Sequence, residues 1–342
     1  MNRKIYFVFL FTFMVLAAKA QIGGESTYQF LELTNSARIA ALGGTQIAIS
    51  DSSDLNLSYN NPSLLHQDMA NKILVNYVNY LTDINYGYVS YAKSYEGIGN
   101  FAVGMHYINY GKFDEATEAG ELTGATFNAA EYALNLIYSN SYKWLNYGVN
   151  LKPILSSFES YQSVGIAADF GLNFTSKGGF TTVALVARNV GSQITTYYED
   201  GNRESIPFNL QAGISQRLKH APVVLSLTMQ HLSHWDLAAP EEDPEFGTET
   251  IYNRKESFLK QTMRHAVLGI ELLPSENFVL RAGYNYQRRQ ELMFDEKGST
   301  VGFSAGFGIH IKRFHIDYGI SRFHLAGSSN LFSVAINLNN NF

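Results

Sequence analysis

The chain contains no cysteine in 342 residues. No disulfide can staple it, and thiolate chemistry and cysteine-ligated metal centres are excluded. Charge is sparse as well. Charged residues make up 16% of the chain, against roughly 25% in ordinary soluble domains. The net charge of −5 offers no basic surface for nucleic acid. Beyond the first twenty residues no apolar run reaches the ~18 residues of a membrane-spanning helix. The 9 histidines are scattered, with no H-E-x-x-H spacing for a metal. Gly97–Ile98–Gly99 sits in a turn before a strand rather than before a helix, so no phosphate-binding glycine loop is present. No cofactor and no metal are expected.

What the chain does have is tyrosine, phenylalanine and alternation. There are 22 Tyr and 23 Phe but only 2 Trp, with 28 Gly and 7 Pro. In "SVGIAADFGLNF", Val164, Ile166, Ala168, Phe170, Leu172 and Phe174 share one face, and Ser163, Gly165, Asp169, Gly171 and Asn173 share the other. "FNLQAGISQRL", "FVLRAGYNY" and "FSAGFGIHI" repeat the pattern. Alternate side chains of a strand point to opposite faces. A recurring small or polar face opposite an apolar one is the signature of a barrel wall between lipid and a wet lumen. The fold class read here is all-β: a transmembrane antiparallel barrel of about fourteen strands. The strands are expected at 71–79, 84–93, 98–110, 128–140, 144–157, 161–175, 180–190, 207–219, 221–232, 262–272, 276–288, 301–311, 314–322 and 331–339. Short connections alternate with longer, mostly acidic ones, as outer-membrane barrels alternate turns and loops.

Three regions follow. Residues 1–20 have the layout of a signal peptide: Arg3 and Lys4, an apolar run, then Ala18 and Ala20 at the small positions before the expected cleavage. Residues 21–70 lack sustained alternation and are expected to fold inward as an N-terminal hatch. Residues 71–342 form the barrel. Within the hatch, Asn35 or Ser36 is placed to cap a short helix from Ala37 to Leu42, and Gly43–Gly44 to end it. Gln46–Asp51 is expected as a short strand. Asn61 caps a turn with Pro62 at its first position. Arg38 and Asp51 are candidates to anchor the hatch to the wall. Fourteen strands enclose a lumen too wide for wall side chains alone to fill.

The closing segment "LFSVAINLNNNF" places Phe332, Val334, Ile336 and Leu338 on one face, with Phe342 as the terminal aromatic. It is read as the last strand and as the signal for the barrel assembly machinery. Pro153, inside the fifth strand, is a candidate for a break in the wall. The loop bearing Glu241, Glu242, Asp243 and Glu245 is read as solvated, because it lacks the spacing of a calcium loop. His231 and Ser233 in "QHLSHWDL" form the one pairing that invites catalysis. Outer-membrane phospholipases and lipid A deacylases carry an H-x-S pair on the barrel exterior. The Asn-Gly that follows it in those enzymes is replaced by His234–Trp235. The pair is therefore read as an interfacial strand end with Trp235 as a belt aromatic, and the chain as non-enzymatic.

Residues Gln21–Leu65 resemble a known family. Gly23–Gly24, Tyr28–Phe30–Leu31, Ser36–Ala37–Arg38, Leu42–Gly43–Gly44 and Asn61–Pro62 carry a likeness to the PorQ family, an outer-membrane component of the Bacteroidetes type IX secretion system. More distantly the chain is similar to the FadL group, fourteen-stranded barrels with an N-terminal hatch. The first resemblance implies a non-catalytic role in the attachment complex that joins cargo to lipopolysaccharide, alongside PorV, PorU and PorZ. The second implies, as the alternative, an outer-membrane transporter of hydrophobic small molecules. Both imply residence in the outer membrane of a Gram-negative bacterium, with lipid around the wall.

Overall fold

The computed structural model describes residues 26–80, 84–117, 121–198, 201–238, 257–292, 300–324 and 327–339. Fourteen strands form one closed antiparallel barrel. They are β1 (Lys72–Asn79), β2 (Asn85–Tyr95), β3 (Gly99–Ala116), β4 (Leu122–Tyr142), β5 (Leu145–Phe158), β6 (Tyr161–Thr175) and β7 (Thr181–Thr195), then β8 (Asn209–Arg217), β9 (Val223–Met229), β10 (Ala266–Ser275), β11 (Phe278–Asn285), β12 (Phe303–Ile311), β13 (Phe314–His324) and β14 (Gly327–Asn337). Each strand pairs with its sequence neighbours. The ring closes where β1 meets β14, with Val75 opposite Val334 and Tyr77 opposite Phe332. A closed ring leaves no sheet edge unpaired.

The dyad pattern decides which way each residue faces. Phe170, Leu172, Phe174, Leu268, Leu280, Phe307 and Phe332 stand exposed on the outside. Ser163, Asp169, Gln211, Ser215, Arg281, Ser304 and Ser333, one residue out of phase with such positions, are buried inside. An apolar exterior over a polar interior inverts the pattern of a soluble sheet protein. Among the described residues, no helix is long and apolar enough to cross a membrane.

All fourteen expected strands are present, and the departures are local. The loop expected at 111–127 is largely a ribbon: β3 and β4 run on as a two-stranded extension with Phe113 opposite Phe127. Residues expected at the start of the tenth strand and the end of the eleventh are helical, in α3 (Phe258–His265) and α4 (Tyr286–Leu292). The interior is not uniformly polar either. Inward Leu74, Val78, Tyr86, Tyr88, Ile108, Ile154 and Leu331 give the arc from β14 through β5 an apolar lining.

Residues 26–71 run through the lumen. The segment holds α1 (Ala37–Ala41), α2 (Leu57–Asn60) and three 3-10 turns. It touches the inner face of strands all round the ring, a reach open only to a segment inside it. Ser36 caps α1 by accepting from Ile39 N at 3.4 Å. Gly43 and Gly44 end it with φ of 101° and 97°, a backbone that costs glycine nothing. Asn61 caps the turn at Pro62–Leu64, its Oδ1 accepting from Ser63 N at 3.0 Å. Gln46–Asp51 is not a strand. It follows an irregular path with Ile47, Ala48 and Ile49 all buried, because no neighbouring strand there has a free edge to pair with.

Candidate functional site

The interior segment is fixed to the wall by two polar centres and by close backbone approach. Arg38, on α1, forms the first centre. Its Nε and Nη2 donate to Oε1 and Oε2 of Glu271 on β10, both at 2.9 Å. Its Nη1 donates to Asp51 at 2.7 Å and to Asp54 at 2.9 Å. Glu271 is shared with Arg281 of β11 at 2.8 Å, and Arg281 reaches Asp317 of β13 at 2.5 Å. Bidentate arginine–carboxylate pairs are geometrically specific and strong. Burial alone would disfavour the Arg38 cation, but Glu271, Asp51 and Asp54 hold its pKa above the ordinary arginine value. Burial likewise opposes the Asp51 carboxylate. Arg38 beside it and hydrogen bonds from Ser53 hold its pKa well below the usual range. Arg38 therefore ties the segment to the wall, whereas Asp51 ties the segment to itself through Arg38.

The second centre lies across the lumen. Lys152 Nζ on β5 is 2.6 Å from Asp169 of β6 and 2.9 Å from Asn189 Oδ1 of β7, with Lys152 and Asp169 fully buried. Asn189 takes φ 56°, and its N donates to Asp169 at 2.8 Å. The Lys152 and Arg188 cations lie over the Tyr59 ring of α2 at 5.5 and 5.6 Å. Tyr59 Oη stands 2.9 Å from His106 Nδ1 of β3. The wall around this centre is irregular. The β4–β5 ladder keeps one register on either side but skips the pairs opposite Lys152 and Pro153. Proline has no N–H to give. The β6–β7 ladder shifts register beside Asp169. The break expected at Pro153 is thus an interrupted ladder in a continuous strand.

Small residues let the segment lie flat on the wall. A methyl on inward Gly283 would fall 2.1 Å from Gly43 N and 2.2 Å from Leu42 C. One on Gly148 would fall 2.4 Å from the carbonyl carbon of Pro62, and one on Gly319 2.4 Å from Ala37 O. Ser333 accepts from Ala37 N and Ser304 from Gly43 N, each at 3.0 Å.

The segment also has a direction. Ser26 bridges Ser205 in the β7–β8 connection, and Tyr28 Oη lies 2.5 Å from Ser163 at the start of β6; both mark the end of the barrel that carries the longer connections. At the other end Leu65 O accepts from Ser139 near the close of β4 at 2.5 Å, just before β1 begins. Between the segment and the apolar arc, Tyr28, Phe30 and Leu31 pack with Val78, Tyr86, Ile108, Ile154 and Leu331.

His231 and Ser233 do not sit on a strand face. β9 stops at Met229, and His231 turns the chain with φ 53°. Asn209 Oδ1 takes the His231 N–H at 2.8 Å, and the Asn209 amide lies 3.4 Å from its Nε2. Among the described residues no cluster of His, Asp or Glu could hold a metal ion. The Glu241–Glu245 stretch, residues 1–20 and Phe342 lie outside the described residues. Sequence reasoning found Arg38 and Pro153 but not Glu271, Arg281, Lys152 or Asp169. Each stands alone at an inward position of its strand, and an isolated charge on the lumen face was the available signal.

No family model matches the chain, and no curated protein matches it. Solved structures do. A TodX variant described as a monoaromatic hydrocarbon channel aligns over 89% of this chain and 99% of its own, at 12% identity and a TM-score of 0.54. The Ralstonia pickettii toluene transporter TbuX aligns over 90% of this chain and 97% of its own, at 12% identity and a TM-score of 0.51. A Pseudomonas aeruginosa FadL homologue aligns over 90% and 99% at 9% identity, with a TM-score of 0.48. At these identities the first two likenesses speak for the fold.

Proposed function

We propose that this chain is a FadL-like barrel of a Gram-negative outer membrane, and that it passes hydrophobic small molecules across it. In this reading residues 26–70 are a hatch. The observation that carries it is the apolar arc inside the wall, where Phe30 and Leu31 of the hatch pack on Val78, Tyr86, Ile108 and Leu331. A pore for ions or sugars keeps a polar lumen; an apolar seam between hatch and wall suits an apolar solute. The fold shared with a hydrocarbon channel and a toluene transporter supports the same class of cargo. The exit runs through the wall at Pro153, where the β4–β5 ladder is interrupted. This function is non-enzymatic: the barrel changes the path of the solute, not its bonds.

The test is the rate of radiolabelled toluene entry into Gram-negative cells whose lipopolysaccharide leaflet slows its passage, with and without the protein in the outer membrane. Saturable entry above cells lacking the protein, reduced in Pro153→Val, supports the reading. Entry equal to cells lacking it overturns it.

A second reading rests on the sequence of Gln21–Leu65, whose motifs resemble the PorQ family. It makes the barrel a scaffold of the type IX secretion attachment complex, with PorZ-, PorU- and PorV-like partners. Affinity isolation from detergent-solubilised outer membrane, followed by mass spectrometry, separates the two. A large surface protein recovered in stoichiometric amount favours the scaffold; the barrel recovered alone favours transport.

A further inference from the structure

The wall is not of even height. β6 and β7 have 15 residues each, whereas β9 has 7 and β11 has 8. At about 3.3 Å per residue and a tilt of roughly 40°, seven or eight residues rise only about 18–20 Å, against an apolar band of about 25 Å. β9 and β11 therefore fall about 5–7 Å short, close to the radius of a helix with its side chains, whereas β10 between them has 10 residues and spans the band. At the loop-bearing end β11 runs directly into α4. α3 runs into β10 without a linker, its last residue His265 adjoining Ala266.

α3 is amphipathic and its apolar stripe is uncovered. At 100° per residue, Phe258, Leu259, Thr262 and Met263 occupy one side, while Lys260, Gln261, Arg264 and His265 occupy the other. Phe258 is 73% exposed, Leu259 67% and Met263 40%. The polar side is held: Arg264 donates to Gln287 of α4 at 3.3 Å, and His265 Nδ1 lies 2.8 Å from Gln230 O. Trp235 joins the exposed patch, its ring 5.5 Å from Phe258 and 5.0 Å from His265. Its Nε1 donates to Gln261 at 2.9 Å. A tryptophan with an apolar body and a satisfied N–H suits the boundary between lipid and water.

We infer that α3 and Trp235 form an interfacial anchor, lying in the headgroup layer at the loop-bearing end and completing the apolar band beside the short β9 and β11. The occupant of the patch is the membrane itself. The outward faces of β9 and β10 bear Leu225, Leu227, Leu268 and Ile270, and α3 carries that surface on. The inference rests on the membrane reading above, and the test distinguishes the two.

The chain has 2 tryptophans. Trp144 is exposed in the turn between β4 and β5, its ring 5.6 Å from Phe174, at the opposite end of the barrel. The full-length protein is reconstituted into phosphatidylcholine vesicles brominated near the headgroup, as Trp144→Phe and as Trp235→Phe, so that each reports one end. The expected result is at least twofold quenching of both. Adding Phe258→Ser, Leu259→Ser and Met263→Ser to the Trp144→Phe protein should abolish most of the quenching of Trp235, with heat-modifiable gel mobility confirming that the barrel stays folded. Quenching of Trp144 with none of Trp235 overturns the anchor and leaves the embedded barrel standing. Quenching of neither overturns both.

Discussion

Arg38→Ala should unseat the hatch without unfolding the wall. The substitution leaves Asp51, Asp54 and Glu271 facing one another, with only Arg281 still bonded to Glu271. Removing one partner of a buried ion pair costs about 3–5 kcal/mol, because the remaining charge is uncompensated. At 1.4 kcal/mol per tenfold, the unseated fraction should rise by roughly 150- to 4,000-fold. The absence of native cysteine makes this measurable. Ser58→Cys places a near-isosteric thiol on α2, fully buried in the seated hatch, so its maleimide labelling rate follows the unseated fraction. Labelling should accelerate by two to three orders of magnitude in Arg38→Ala. It should accelerate less in Arg38→Lys, which keeps the charge but not the two-pronged bond to Glu271. Arg38→Met combined with Glu271→Gln and Asp54→Asn should recover part of the loss, since fewer charges are then stranded. An unchanged labelling rate in Arg38→Ala would refute the claim that this centre holds the hatch. Acid should act in the same direction. The Asp51 pKa lies below its ordinary value, so its contribution is complete above about pH 4. It is lost as pH falls through the lower folded value, and exposure of the Ser58→Cys thiol should rise there, read with a dipyridyl disulfide that reacts with thiols in acid because maleimide needs the thiolate.

Other substitutions test the remaining supports. Gly283→Val sets side-chain atoms against Gly43 and Leu42; overpacking of this kind costs about 1–3 kcal/mol, and Ser58→Cys labelling should rise about 5- to 150-fold. Lys152→Met strands a fully buried Asp169 and should lower thermal stability, by about 3–5 kcal/mol at the midpoint; Lys152→Met with Asp169→Asn should regain most of it in the same melt. Pro153→Val supplies the N–H missing opposite Leu134, so amide exchange across the β4–β5 seam should slow as toluene uptake falls.

The wall was legible because a dyad code is local: "SVGIAADFGLNF" shows its two faces without reference to any other segment, and β6 runs over Tyr161–Thr175 as read. The helices were not. Residues 262–265 and 286–288 offer only Met263 and Tyr286 as apolar side chains, too few to show a period, and the wider helical pattern of α3 starts upstream, at Phe258. Gln46–Asp51 misled for a related reason. Ile47 and Ile49 alternate, but Ala48 between them is equally buried, because the hatch is enclosed on every side. Within the site, Arg38 could be named but not its partner. Glu271 is 233 residues away, and its choice follows from barrel register and the path of α1, neither of which is written in a short window. The glycines facing the hatch carried a signal open to sequence reading. A small residue on the lumen side of several strands says that something lies close, though not what.

The course of the hatch constrains how far it can move. Ser26 stands at one mouth and Lys72 begins β1 at the other, so the segment lies threaded through a ring whose seam pairs Val75 with Val334. It cannot swing away as a door does. Its tethered end is the first strand of the wall, and full withdrawal would drag Tyr28 past every support in turn. Any movement of the segment out of the ring therefore breaks these supports one after another.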